Sequence, residues 1–173
     1  LINSFWILPF TYFTIKNSQV NVTAKINQMA TETVFLQNRE FGNITDTILL
    51  RGFWFNNVET DTQGKSIFML APWKKHLNNP VVVTIGFIFF LIILLGIVKT
   101  MRQKHPLGKA FSLLFLITFT MLTTSTPPFS WINDLLRDSI PLFNQVFRFP
   151  FTKFSILMAL LYTVFFSLGL QAI

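Results

Sequence analysis

The most constraining feature of this chain is a run of 18 residues, 81–98, with no charge and only one polar side chain, Thr84. At about 1.5 Å per residue, a helix of this length spans roughly 27 Å, close to the hydrocarbon thickness of a bilayer. A helix buried in a soluble core is the alternative, but it does not require unbroken hydrophobicity over such a length. Asn79 is placed to cap the helix and Pro80 suits its first turn. Lys99, Arg102 and Lys104 close it.

Two further stretches share this character. Residues 110–126 are apolar at their centre apart from Ser112, Thr118 and Thr120, and the run Thr-Thr-Ser-Thr-Pro-Pro (123–128) closes them. This stretch is short, so its outer end is expected to be covered by protein rather than lipid. Residues 154–173 are uncharged throughout. Residues 1–13 read as the outer end of another span, with Trp6, Pro9 and Tyr12 suited to an interface. The expected fold class is an all-α polytopic membrane protein. It has three full transmembrane helices (80–100, 110–126 and 154–173) plus the end of another (1–13). A cytoplasmic loop (101–109), a long extracytoplasmic loop with short helices (14–79) and an extracytoplasmic interfacial helix and loop (127–153) connect them. The chain opens on Leu1 inside an apolar run, which points to a piece of a longer protein, with the remainder of that chain as a partner.

Composition agrees. Only 12% of residues are charged, about half the roughly 25% usual in soluble domains. That argues against an ordinary soluble enzyme and against a disordered tail. The absence of cysteine excludes disulfides, zinc–thiolate sites, iron–sulfur clusters and thiol nucleophiles. The net charge of +7 comes from basic residues scattered among apolar runs. With no dense basic stripe, membrane lipid is the expected partner, and nucleic acid is not. Lys99, Arg102, Lys104 and Lys109 cluster without an acid, which makes their loop cytoplasmic. The loops at 14–79 and 126–153 then face outward, and Trp6, Trp54, Trp73 and Trp131 all fall on that side. An integral protein of a prokaryotic cytoplasmic membrane is the expected setting.

Within the first outer loop, an amphipathic helix is expected around 24–37, with Ile26, Met29, Ala30, Thr33, Val34 and Leu36 on or near one face. Thr45 or Asp46 is placed to cap a second helix that runs to Gly52 and leads into Phe-Trp-Phe (53–55). Residues 60–65 read as an exposed turn. Two glycosylation sequons begin at Asn21 and Asn43, a short pattern common in Asn/Thr-rich segments. In the second outer loop, residues 131–140 form an expected interfacial helix that Pro141 ends.

Few residues carry chemistry. Asp134 and Asp138 lie one turn apart beside Arg137; they read either as an acid/base pair or as a solvated face with local partners. Arg148 and Lys153 bracket Pro150. They read either as a clamp on a lipid phosphate, Arg bidentate and Lys as a point charge, or as snorkelling cations or partners of Asp134 or Asp138. His76 and His105 fall on opposite sides of the membrane, so they share no metal. There is no Gly-rich phosphate loop, nucleophile elbow or metal-ligand spacing, and neither cofactor nor metal is expected.

Several pieces then occur in a familiar order. These are Asn-Ser-Phe-Trp-Ile-Leu-Pro-Phe (3–10) at a span exit and Ile-Leu-Leu-Arg-Gly-Phe-Trp-Phe (48–55) in the following loop. Thr-Pro-Pro (126–128), Ile-Pro-Leu-Phe (140–143) and Phe-Arg-Phe-Pro-Phe-Thr-Lys-Phe (147–154) follow. In this order the chain resembles the polytopic membrane glycosyltransferases of the GT-C superfamily, in the branch of YfhO-like proteins and large arabinofuranosyltransferases. The resemblance implies transfer of sugar from a polyprenyl-phosphate donor on the extracytoplasmic face. It also implies that Arg148 and Lys153 face the donor phosphate. The family's catalytic acid sits upstream of the stretch matched here, so the catalytic residue is unknown and this chain is expected to lack that acid loop. A transporter or flippase segment for lipid-linked material, or a structural membrane subunit, are the competing functions.

Overall fold

A computed structural model describes residues 4–103, 106–140 and 142–173. Lys104, His105 and Pro141, read above as part of the basic cluster, as the histidine opposite His76 and as a helix stop, lie outside the described residues. So do the side chains of Asn21, Ile26, Met29 and Ala30.

Helix accounts for about three quarters of the described residues, with almost no strand. α1 (Ser4–Lys16), α2 (Ser18–Thr23), α3 (Lys25–Glu40) and α4 (Ile44–Ile48) lead to a 3-10 turn at Phe53–Asn56. A small antiparallel hairpin follows, β1 (Val58–Thr60) and β2 (Ser66–Phe68), then α5 (Ala71–Leu77). Next come α6 (Pro80–Arg102), α7 (Pro106–Leu122), α8 (Phe129–Ser139), α9 (Phe143–Val146) and α10 (Pro150–Leu170).

Two helices, α6 and α10, are long and apolar enough to cross a membrane, at 23 and 21 residues. α7 has 17 residues, about 26 Å, so three full spans are not reached by length. Its bounds also differ from the expected 110–126. It begins at Pro106, which shortens the turn after α6, and it ends at Leu122. The end is set by tertiary bonds rather than by the later prolines. Ser125 N–H donates to the Gly42 carbonyl at 3.0 Å, and Ile44 N–H donates to Thr126 Oγ1 at 3.2 Å. These bonds pull residues 124–126 out of the helix and tie the two loop regions together.

α6 and α10 run parallel, with α7 antiparallel across them, and the core lies among the three. Ile93, Phe115, Phe119, Leu122, Met158, Leu161 and Phe165 are buried there. Gly96 and Gly169 set the closest approach. A Cβ at Gly96 would collide with the Phe165 carbonyl, and one at Gly169 with the Ile92 carbonyl. Small residues at a crossing let helix backbones touch, the usual way helices associate where lipid removes the hydrophobic drive.

α3, α4, α5, α8 and α9, with the turn at Phe53–Asn56, form a cap over the ends where α6 and α10 begin. Asn79 Oδ1 accepts the Val81 N–H at 2.9 Å and Pro80 occupies the first turn of α6, as the sequence predicts. The cap of α4 is Asn43, not Thr45 or Asp46: its Oδ1 accepts from the Asp46 N–H at 2.9 Å. α4 also stops at Ile48, four residues before Gly52, because Leu50 adopts a positive φ of 51° that a helix cannot contain. Residues 61–65 are the hairpin turn, with Asp61 Oδ1 accepting the N–H groups of Gln63 and Lys65. The flanking three-residue strands have no strong signal in the sequence.

Candidate functional site

The most informative element is the segment 47–51, which dips between α6 and α10. Tyr162, in the middle of α10, donates its hydroxyl to the carbonyls of Thr47 and Ile48 at 3.3 and 3.2 Å. Leu49 packs where Gly86 of α6 leaves room for it. Leu50 in the left-handed region is costly for a bulky side chain, and such conformations persist only where the surroundings enforce them. Here the turn aims Arg51 back at its own helix.

Arg51 Nη2 meets Asp46 Oδ1 at 2.6 Å, with the two side chains 15% and 13% exposed. Arg51 Nη1 donates to Asn78 Oδ1 at 2.8 Å and to the Leu77 carbonyl at 3.4 Å. Asp46 Oδ2 in turn accepts from Asn43 Nδ2 at 2.6 Å. Both carboxylate oxygens are therefore engaged, and Asp46 is a structural partner for Arg51 rather than a free base. Asn43, in the second sequon, spends both ends of its amide on this network.

Two cavities of about 220 Å³ each share Arg51 and Leu77 in their walls. One is apolar, bounded by residues 48–50, Val82, Val83, Phe89, Phe90 and Ile93. The other is polar, bounded also by Asp46, Lys74 and Asn78, with Phe41 and Phe55 as aromatic walls. Lys74 Nζ donates to Asn56 Oδ1 at 2.7 Å and sits 3.9 Å above the Phe68 ring. A third, much smaller cavity of about 10 Å³ is bounded in part by Asn38, Arg51 and Thr124. Asn38 Oδ1, Arg51 Nε and Thr124 Oγ1 have no protein hydrogen-bond partner, and the space is about that of one water.

The motif pieces at 48–55 and 147–154 meet beside these cavities. Phe53 packs 5.6 Å from Phe149, and a Cβ on Gly52 would strike the Phe151 ring. Sequence separation hides this meeting. Residues 4–10 of the first piece lie in α1, which packs on α2.

Arg148 and Lys153 stand at the head of α10. Arg148 is half-buried, 5.8 Å over the Phe149 ring, and Lys153 is exposed. Neither forms an ion pair among the described residues. Asp134, an expected partner for them, instead meets Arg39 at 3.4 Å. Arg137 faces Glu32 at 3.5 Å and stacks 3.4 Å over Phe35. Burial lowers its pKa from the ordinary arginine value, while Glu32 and Asp134 act the other way. Asp134 and Arg137 therefore hold α8 to α3, with partners far away in sequence rather than in their own loop. His76 is exposed, 6.0 Å from the Trp73 ring. No group of His, Asp or Glu able to hold a metal occurs among the described residues.

α8 is oriented unlike a soluble helix. Its Ser130 and Asn133 are buried, with Asn133 Nδ2 donating to the Thr120 carbonyl at 2.8 Å. Trp131 and Leu135, one turn apart on its other side, are 67% and 64% exposed. The apolar windows of α6 and α10 are likewise only 11% and 22% buried inside the protein. No family model, curated protein or solved structure matches this chain.

Proposed function

We propose that this chain is part of an integral membrane glycosyltransferase of the GT-C type, which takes a polyprenyl-phosphate-linked sugar on the extracytoplasmic face. In this reading α6, α7 and α10 all cross the bilayer, with the cap protecting the outer end of the shorter α7. α8 lies along the interface with Trp131 and Leu135 in lipid. The membrane setting is supported by apolar surface on α6, α8 and α10 that faces outward rather than into a core, which would be costly in water at about 25 cal/mol per Å².

The observation that carries the enzymatic reading is the junction of 48–55 with 147–154. These are the stretches that resemble the transferase family, and they touch through Phe53 and Phe149 at the head of α10. Arg148, Lys153 and the amide-rich start of a 21-residue helix give that end a positive field without an acid in the first turn. Such a field favours a phosphate. The roles are binding and orientation of the donor; no residue here is assigned to the transfer step.

The test uses the intact protein in membrane vesicles with a polyprenyl-phosphate sugar donor. Arg148→Ala and Lys153→Ala should each raise the donor KM about tenfold, the worth of one charge-assisted contact, with insertion unchanged. Unaltered donor binding in both variants refutes the clamp. An intact protein that moves lipid-linked sugar across the bilayer without transferring it would establish the flippase alternative instead.

A further inference from the structure

The two cavities that meet at Arg51 differ in chemistry in a way that selects a ligand. The polar one holds Arg51 and Lys74 against a single carboxylate, Asp46. Asp46 is matched to Arg51 at 2.6 Å, and Lys74 forms no ion pair among the described residues. Lys74 Nζ is held by neutral partners, Asn56 Oδ1 at 2.7 Å and the Phe68 ring, so the wall of this cavity carries one cation that no carboxylate neutralises among the described residues. Its neighbour Asn78 has its carbonyl fixed by Arg51, which leaves the Asn78 amide N–H groups as donors. The apolar cavity continues from the same Arg51 and Leu77 along α6 as far as Ile93. Val82 to Ile93 is about 16 Å of helix. Its rim residue Phe89 is 50% exposed, so the groove opens sideways onto the surface that a bilayer would cover. Together the cavities reach the volume of ordinary ligand sites, roughly 300–1,000 Å³.

We propose that these paired cavities bind an anionic amphiphile, its phosphate-class head beside Lys74 and Asn78 and its hydrocarbon chain along α6. A head without a chain leaves the groove unfilled, and a chain without a charged head leaves Lys74 with neutral partners only. Arg51 is a positioning residue: tied to Asp46, it orients Asn78 at the place where the two compartments adjoin. Leu50 holds this arrangement in place through its left-handed backbone. Irregular backbone at membrane depth is tolerated where it lines such a cavity. Neither Arg148 nor Lys153 lines these cavities, and the inference rests on the membrane reading but not on sugar transfer.

The experiment reconstitutes the full chain in phosphatidylcholine nanodiscs and measures retention of radiolabelled dodecyl phosphate against empty nanodiscs. Dodecanol and inorganic phosphate are the competitors. The wild-type protein should bind dodecyl phosphate, and dodecanol should compete at least about tenfold less well, equal to about 1.4 kcal/mol. Inorganic phosphate should not displace it. Lys74→Glu, a change at a half-exposed cap residue, should weaken binding at least about tenfold, and Val83→Trp should weaken it by filling the groove. Melting curves matching wild type show that both variants are folded. Binding to Lys74→Glu within about twofold of wild type overturns the proposal. Displacement by inorganic phosphate as effective as by the unlabelled lipid also overturns it, because the groove would then contribute nothing. An inserted protein that retains no dodecyl phosphate refutes this inference alone, whereas failure to insert refutes the membrane reading with it.

Discussion

Removing the Asp46 carboxylate should isolate a cation that the cap cannot resolvate. In Asp46→Ala, Arg51 keeps only neutral acceptors, Asn78 Oδ1 at 2.8 Å and the Leu77 carbonyl at 3.4 Å. Asn43 Nδ2 also loses its 2.6 Å acceptor. Breaking a fully buried pair costs about 3–5 kcal/mol. With the two side chains 15% and 13% exposed, some water reaches them and the expected loss falls to about 2–4 kcal/mol. Asp46→Asn retains a carbonyl oxygen for Arg51 and should cost about 1–2 kcal/mol. The double variant Asp46→Leu/Arg51→Met removes both charges and fills the space with apolar atoms. It should be more stable than Asp46→Ala, since a buried ion pair is often replaced by hydrophobic residues at little cost. The assay is denaturant titration in mixed micelles for both single Leu and Met variants and the double. A coupling energy below about 0.5 kcal/mol, the limit for independent sites, would refute the role given to this pair.

Other changes probe separate parts of the fold. Gly169→Leu should destabilise the helix layer by at least about 1–3 kcal/mol, because its side chain meets the Ile92 carbonyl; a variant with wild-type unfolding would contradict the close crossing. Gly64→Ala, at φ +78° with open space around it, should cost only about 1–2 kcal/mol, the left-handed penalty. Asn43→Ala should cost about 2–3 kcal/mol through loss of both the α4 cap and the hydrogen bond to Asp46 Oδ2, measured by the same titration, and Thr45→Ala should cost much less.

The helix layer was readable because its signal is local. The uncharged run at 81–98, the Asn79 cap and Pro80 announce α6 within a few neighbours, and the structure keeps them. α7 departs at its C-terminal end for tertiary reasons. Gly42 and Ile44, some eighty positions away, capture the Ser125 backbone N–H and the Thr126 hydroxyl. The end of α4 was hidden because nothing in residues 48–52 marks Leu50 as the residue that turns left-handed, while Gly52 is the obvious breaker. In the site, the isolated cations Arg148 and Lys153 were visible beside Pro150. Arg51 and Lys74 were not, because their meaning depends on a cavity built by α4, α5 and α6 together. Asp134 illustrates the limit of proximity in sequence: its partner is Arg39, not a cation in its own loop.

The central claim is that α6 crosses a membrane with the cap on one side, and the chain's lack of cysteine makes the decisive measurement direct. Gln63, in the hairpin turn, and Gln103, just past α6, are both exposed and lie on either side of that helix. Single variants Gln63→Cys and Gln103→Cys in sealed vesicles, treated with a membrane-impermeant maleimide, should label from opposite faces. Gln63→Cys should react from the extracytoplasmic side, and Gln103→Cys only from the cytoplasmic side or after permeabilisation. Labelling of both from the same side of a sealed membrane would contradict the account.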